Sequence, residues 1–402
     1  MSGMTRPDPA GRIVTTLLVL LVALGPISTD LYLPALPEIG RSFTADVPTI
    51  QLTLSVYMIA FALGQLIYGP LSDRFGRRAP LIGGTALYFA ASILCLVAPT
   101  IEWLIAGRLL QGIGGCAGQV IARAVVRDVH GRESAGRVLA KIAAAMGFAP
   151  AVGPAIGGLL TDAFGWAACF AALSAAGGLA LLGTMLLLRE TNAEPDTEPM
   201  GPRRMARNFA TLLAHRQFNG FALAATASYS GLFAWISGSS FVFIEIFGLS
   251  PALYGYCFAS IVVGFIAGAQ IASRLTVGPV RAVALGAAIN AAGGLAMALV
   301  VVTGQAGVAT VLAPMILYMV GMGIVLPMAQ AGAIGPFPRK AGSASSLMGT
   351  AQYGLAAFVG LAVGHGFDMT PLPMALGVAG SGVLALASHL FLIRGAPEPV
   401  EV

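Results

Sequence analysis

Gly69-Pro70-Leu71-Ser72-Asp73-Arg74-Phe75-Gly76-Arg77-Arg78 places one acid and three bases in a turn between two apolar runs, residues 50–70 and 79–98. Each run is about the 20 residues that a helix needs to cross a bilayer. A short charged turn between two such runs reads as the water-facing end of a helical hairpin in a membrane. Gly76 permits the tight bend, and Asp73 can pair with a neighbouring base or sit against a helix end.

Moving outward from this turn, similar apolar runs recur along the chain: 13–36, 50–70, 79–98, 102–124, 138–161, 165–188, 217–239, 251–273, 281–303, 308–331, 344–366 and 371–393. Lipid satisfies no backbone polar group, so runs of this length are helices. The expected fold is an all-α membrane protein of twelve spans. The longest break, Arg189 to Arg216, holds Pro195, Pro199, Gly201 and Pro202 and divides the spans six and six. This predicts an N-terminal bundle over 1–188, a central loop over 189–216 and a C-terminal bundle over 217–402. Residues 204–216 could form a short helix on the membrane surface. A faint echo of the basic turn, with Arg274, Gly278 and Arg281, precedes the ninth span, and parallel repeats of this kind build some transporters.

Composition agrees. Of 402 residues, 57% are apolar and 10% charged, against about 25% charged in soluble domains. This excludes a soluble enzyme, a secreted disulfide scaffold and a disordered chain. Cys95, Cys116, Cys169 and Cys257 lie apart within apolar runs, a spacing that fits neither a zinc site nor a disulfide framework. The first run is longer than the apolar core of a cleavable leader, about 7–15 residues, so it reads as a retained span. The net charge of +5 reports topology rather than nucleic acid. With the N-terminus inside, every one of the 22 Lys and Arg except Arg41 and Arg108 falls on an inner segment, which puts both termini in the cytoplasm. Trp103 and Trp166 then fall at outer ends, where aromatic anchors belong.

Three further stretches carry chemistry. Arg108-Leu109-Leu110-Gln111-Gly112-Ile113-Gly114-Gly115 puts an arginine inside the fourth span. There it costs roughly 2.5–3.5 kcal/mol on insertion scales, which is a functional hypothesis by default. In the fifth span, Gly147 to Gly158 holds Pro150 and Pro154, which remove backbone donors and kink the helix. Gly153 and Gly157 open a groove for close helix contact. The first span ends Ser28-Thr29-Asp30-Leu31-Tyr32-Leu33-Pro34-Ala35-Leu36-Pro37, and Asp30 is the one acid well inside an expected span. Asp30 lies six residues before the outer end of its span and Arg108 six residues after the outer end of its own, each about 9 Å deep. The two opposite charges therefore share a level, and they are expected to pair.

These stretches resemble a known family. The turn at Gly69, Asp73, Arg74, Gly76, Arg77 and Arg78 is similar to the GxLaDrxGrr loop of the major facilitator superfamily. That likeness implies two six-helix halves and a loop that locks them together in one state and frees them in the other. The turn before the ninth span lacks the acid. Arg108 to Gly115 resembles the family's RxxqGxgg motif, whose arginine is linked to proton transfer. Gly147, Pro150, Gly153, Pro154, Gly157 and Gly158 resemble gxxxGPxxGG, the mark of the antiporter branch. Ser28 to Pro37 is similar to the (S/T)TDxYLPALP stretch of the Bcr/CflA-type multidrug exporters, a twelve-span drug:proton antiporter group.

The resemblance implies a proton-driven exporter of small molecules in a bacterial inner membrane, acting as a monomer in the lipid bilayer. No nucleic-acid partner, cofactor, metal or catalytic set is expected. Proton coupling is expected at Asp30 and Arg108. In this superfamily spans 1, 4, 7 and 10 line the cavity, so Tyr32, Gln111, Gln119, Tyr229, Trp235 and Gln330 are candidates to touch substrate, with Tyr57 and Gln352 beside them. Asn290 and His389 read as structural, and Glu245 as solvated. A dedicated carrier of one metabolite on the same fold is the alternative. A non-transporting receptor would need neither an ion pair at cavity depth nor the antiporter motif.

Overall fold

Proline, glycine and side-chain caps set the helix ends in this computed structural model, which describes residues 9–192, 202–337 and 340–395. Helix α1 (Pro9–Asp30) stops short of Pro34, whose ring offers no amide donor. A 3₁₀ turn (Leu33–Ala35) then leads into α2 (Leu36–Phe43). Asp46 caps α3 (Val47–Phe75) by accepting a hydrogen bond from the Thr49 amide at 3.0 Å, satisfying one of the free donors at a helix start. Gly76, at φ +82°, ends α3 and starts the bend into α4 (Arg78–Leu96). The chain continues through α5 (Ile101–Phe164), α6 (Ala167–Leu187), α7 (Pro202–Leu213) and α8 (Arg216–Ser240). The last five helices are α9 (Pro251–Arg274), α10 (Pro279–Val302), α11 (Val308–Ile334), α12 (Ala341–His365) and α13 (Leu372–Ser388). Short π-helical turns, Phe241–Ile246 and His389–Ile393, extend α8 and α13.

Eleven of the described segments are long and apolar enough to cross a membrane, and the second limb of α5 supplies the twelfth crossing. The expected fourth and fifth spans are joined in one 64-residue helical element. No proline interrupts residues 125–137, and Gly131 and Gly136 are weak breakers beside the alanine, arginine and valine around them. A straight helix of that length would run about 96 Å. Yet Arg108 Nη1 bonds the Ser28 carbonyl at 2.9 Å, while a Cβ at Gly153 would lie 3.1 Å from that of Asp30. Residues 45 apart thus meet α1 two residues apart, so α5 folds back on itself between Val126 and Gly147.

Helices α1–α6 form one bundle and α8–α13 the other, joined mainly where α5 meets α9 and α3 meets α12. In α8, 89% of the apolar window is buried, against 33% in α6; α8 is central and α6 faces lipid. The surface helix expected over 204–216 runs instead from Pro202 to Leu213, and Arg216 already begins α8. Pro195, Pro199 and Gly201 of the expected break, and the inner bases Arg6 and Arg339, lie outside the described residues. So do the side chains of Arg12, Arg127, Arg132, Arg137, Lys141, Arg203 and Arg204.

Candidate functional site: a cavity between the bundles

Arg108 is fully buried on the first limb of α5. Its Nε donates to the Thr53 carbonyl at 3.2 Å, and Nη1 donates to the Ser28 carbonyl at 2.9 Å and to Gln111 Oε1 at 2.5 Å. The guanidinium sits between the rings of Tyr32 and Tyr57, with centroids at 4.4 and 4.2 Å, an arrangement favoured by the ring quadrupoles. Arg108 therefore clamps α1 and α3 to α5 by their backbones.

The expected pairing of Asp30 with Arg108 is not formed. Asp30 is 4% exposed and accepts a bond from Thr29 Oγ1 at 3.1 Å. Two residues on a helix point about 200° apart. The α1 carbonyl at Ser28 meets the first limb of α5, while the Asp30 side chain faces a cavity beside the second.

That cavity, of about 490 Å³, lies between the bundles. Phe61, Phe233, Phe258 and Phe265 line it with the tyrosines 57, 229 and 353 and the methionines 58, 319 and 322. Asp30, Tyr57, Tyr229 and Gln330, singled out in the sequence, line it. Gln119 instead lines a second cavity of about 460 Å³, set between the inner ends of α3 and α5 and the start of α12.

Tyr32, Gln111, Trp235 and Gln352 line neither cavity. Tyr32 lies past the end of α1, under Arg108, with its hydroxyl 3.1 Å from Thr53 Oγ1. Gln111 accepts from Arg108 and donates to Ser92 Oγ on α4 at 2.8 Å. Trp235 packs edge-on against Phe243 in the core. Sequence reading missed Arg123, which lines both cavities, and Tyr353, whose ring lies 5.7 Å from Tyr229 and 5.0 Å from Phe61. The spacing of Gln119 and Arg123, i and i+4 on one helix face, was the available signal for the first. Met315, Met319 and Met322 at helical spacing were a signal for the methionine wall.

In the inner turn, Arg77 bridges Asp73 at 2.5 Å and Asp128 of α5 at 2.9 Å. Glu190, just past α6, accepts from the Arg77 amide at 2.8 Å and the Arg78 amide at 3.0 Å, capping α4. Partial burial opposes its ionisation, but the amides of Asn192, Arg77, Arg78 and Thr191 outweigh it and hold the carboxyl below its usual range. A Cβ at Gly76 would push the end of the Glu190 side chain aside, and the positive φ is what requires a glycine here. Arg78 donates to the Leu188 carbonyl at 2.8 Å, while Arg74 lies over Phe75. The side chains of Asp73 and Arg77 pair with each other, and that of Arg77 also with Ser72 and Asp128, all within the first bundle.

The fifth-span glycines form two seats. A Cβ at Gly157 would overlap the Leu31 carbonyl, whereas Gly147 has open space. Gly158 and Gly255 sit reciprocally between the bundles: each faces the other helix's backbone, at Pro251 and Pro154. Asp162 also accepts from the Ala252 amide at 3.1 Å, and Gln51 Nε2 donates to the Ser237 carbonyl. Glu245, read from sequence as solvated, pairs with Arg41 at 2.5 Å across the bundles. These contacts close the end of the cavity away from the Asp73–Arg77 turn.

The Major Facilitator Superfamily profile matches residues 18–361. The chain is 33% identical over 374 residues to an uncharacterized MFS-type transporter, YdgK, of Bacillus subtilis, covering 91% of this chain and 92% of that one. It is 28% identical to a bicyclomycin resistance protein homolog of Haemophilus influenzae, covering 93% and 94%. It is 29% identical to multidrug resistance protein D of Escherichia coli, covering 84% of each. The crystal structure of a D-xylose-proton symporter shares the fold, with a TM-score of 0.74 at 16% identity over 97% of this chain and 99% of that one.

Proposed function

This chain belongs to the Major Facilitator Superfamily, and we propose that within it the protein is a proton-driven exporter of drugs and other small amphipathic molecules. The observation that carries this reading is the cavity wall. Aromatic rings and methionines adapt to many shapes, and promiscuous binders use such surfaces. A carrier of one sugar or amino acid needs a dense set of placed hydrogen-bond partners, and this wall has few. Relatives named for drug resistance support the same reading.

The cycle is alternating access between bundles at 1–188 and 217–402, joined by the central loop, with both termini in the cytoplasm. The outer end is sealed and Asp73 is held within its own bundle, which fits the freed state of the loop and a cavity that serves the inner side. Asp30 carries the proton. It takes a proton when the cavity faces outward, releases it inside, and the emptied site receives substrate. Arg108 acts on Asp30 through α1, whose backbone it holds at Ser28. One charge crossing roughly 150 mV supplies about 3.5 kcal/mol, enough to sustain a gradient of roughly a few hundred-fold for a neutral drug. The test is susceptibility profiling of a pump-deficient bacterial host expressing the chain, with and without a proton uncoupler. Resistance to several unrelated compounds, abolished by the uncoupler, is expected; protection against none of them rejects the reading.

A further inference from the structure

The two cavities differ in chemistry and meet at one residue. In the upper chamber the charged side chains, among the described residues, are Asp30 and Arg123. The lower chamber adds the neutral polar side chains of Gln65, Gln119, Ser345 and Ser346 to a largely apolar wall. Asp73 and Arg77 also face it, paired with each other, and Arg77 pairs further with Asp128. Arg123 lines both chambers.

The helix levels give the distance between the two charges. A Cβ at Gly118 would touch the Leu21 carbonyl, so these residues share a depth. Asp30 lies nine residues further out on α1 and Arg123 five residues further in on α5, which separates their Cα atoms by about 20 Å. Side chains lean toward the N-terminus of their own helix. The N-terminus of α1 is inner and that of the first limb of α5 is outer, so the two side chains lean toward each other. The rings of Tyr229 and Tyr353, 5.7 Å apart, lie between them, the first within electrostatic reach of Asp30 and the second of Arg123.

We propose that Arg123 is a second polar anchor of the substrate site, and that the site favours dipolar amphiphiles. Such a molecule carries a basic or hydrogen-bond-donating end toward Asp30, an apolar multi-ring body along the tyrosines, and an acidic end at Arg123. This deepens the exporter reading and rests on it. A lipophilic cation is drawn to Asp30 but repelled by Arg123. A dipolar molecule satisfies both. The guanidinium fork suits a carboxylate in bidentate contact.

The probes are an aminomethyl-biphenyl carboxylic acid, with amine and carboxylate at opposite ends, and its methyl ester. They share body and amine and differ only at the acid. Binding to purified full-length protein in detergent is measured for both. The wild type is expected to prefer the acid by about tenfold to a hundredfold, the range for a hydrogen bond to a charged group. Arg123→Gln should bring the ratio close to one, and Arg123→Lys should keep part of it. A wild-type ratio at or below one overturns the proposal without any variant, and so does an unchanged ratio in Arg123→Gln. Wild-type protein that binds neither probe, and none of the compounds it protects cells against, defeats the exporter reading as well.

Discussion

The inner turn between α3 and α4 and the turn between α9 and α10 hold matching places in the two bundles, yet they are built differently. The first ties Asp73, Arg77 and Asp128 together and is capped by Glu190. The second, from Arg274 to Arg281, contains no acid, and both arginines are exposed. The same contrast runs through the membrane interior. Asp30 and Arg108, the buried charged residues among those described, sit in the first bundle. In the second bundle the buried Asn290 takes neutral partners, accepting from Ser228 Oγ at 3.2 Å and donating to the Tyr318 carbonyl at 3.0 Å. Charge handling is concentrated in one bundle, while the other supplies most of the apolar wall that shapes the cavity.

The largest effect should come from the charge of the first bundle. Asp30→Asn should abolish uphill efflux and drug-induced proton release from purified protein, because the variant has no proton to exchange. Met319→Ala with Met322→Ala should change which drugs are exported and leave proton release per drug intact. If the methionine variant uncouples transport, or Asp30→Asn still releases protons, coupling is not confined to the first bundle.

Next in size is the seat of α1 on α5. Gly157→Ala would drive a methyl group into the Leu31 carbonyl, and rigid backbone on both sides leaves little relief. The expected loss is about 3 kcal/mol, the upper end for overpacking, read as a fall in melting temperature in detergent. Gly147→Ala, which meets open space, should leave the melting temperature unchanged. Equal effects at the two glycines would mean that the close approach of α1 is not what holds this bundle.

The residues show why some of this was legible in sequence. The spans were, because lipid forces long apolar runs into helices and bases mark the inner ends. Asp30, Tyr229 and Gln330 line the cavity; Asp30 was found by counting depth along its span, Tyr229 and Gln330 as polar or aromatic residues on spans that the resemblance assigns to a cavity. The expected Asp30–Arg108 pair failed because equal depth does not fix azimuth, and the arginine had two backbone carbonyls nearer at hand. Tyr32 was misplaced because the helix ends at Asp30, so its direction no longer follows helical phase. Glu190 was invisible because it meets Arg77 across 113 residues, a closeness set only when α6 packs beside α4.

The inner turn should respond more mildly, and with a pH signature. Glu190 is held below its usual carboxylate range by backbone amides. Its contribution is therefore complete above the unfolded value, about 4.3, and is lost as pH falls through the lower folded value. The Arg77 and Arg78 amides should stay protected from hydrogen exchange in the wild type until pH falls below the unfolded carboxylate value. In Glu190→Gln, which weakens the cap, exchange should be faster even at neutral pH. Gly76→Ala should reproduce the fast exchange and slow turnover several-fold, because it displaces Glu190. Slow, pH-independent exchange in Glu190→Gln would show that the turn is ordered by other means.

The smallest effect belongs to the opposite turn, and it is the sharpest check on the asymmetry. Arg274 closes α9 with its charge near the negative end of the helix dipole, worth about 0.3–1 kcal/mol at an exposed site. Arg281 sits in the first turn of α10, where a positive charge gains nothing from the dipole. Neither forms an ion pair among the described residues, so removing one strands no acid among them. Arg274→Ala and Arg281→Ala should each leave turnover within about twofold of wild type, as surface substitutions usually do. Asp73→Asn should slow turnover well beyond that at equal membrane abundance, with drug affinity largely kept. A loss in Arg281→Ala as deep as in Asp73→Asn would mean that the second turn is also part of the lock, and that the bundles share the work their sequences divide.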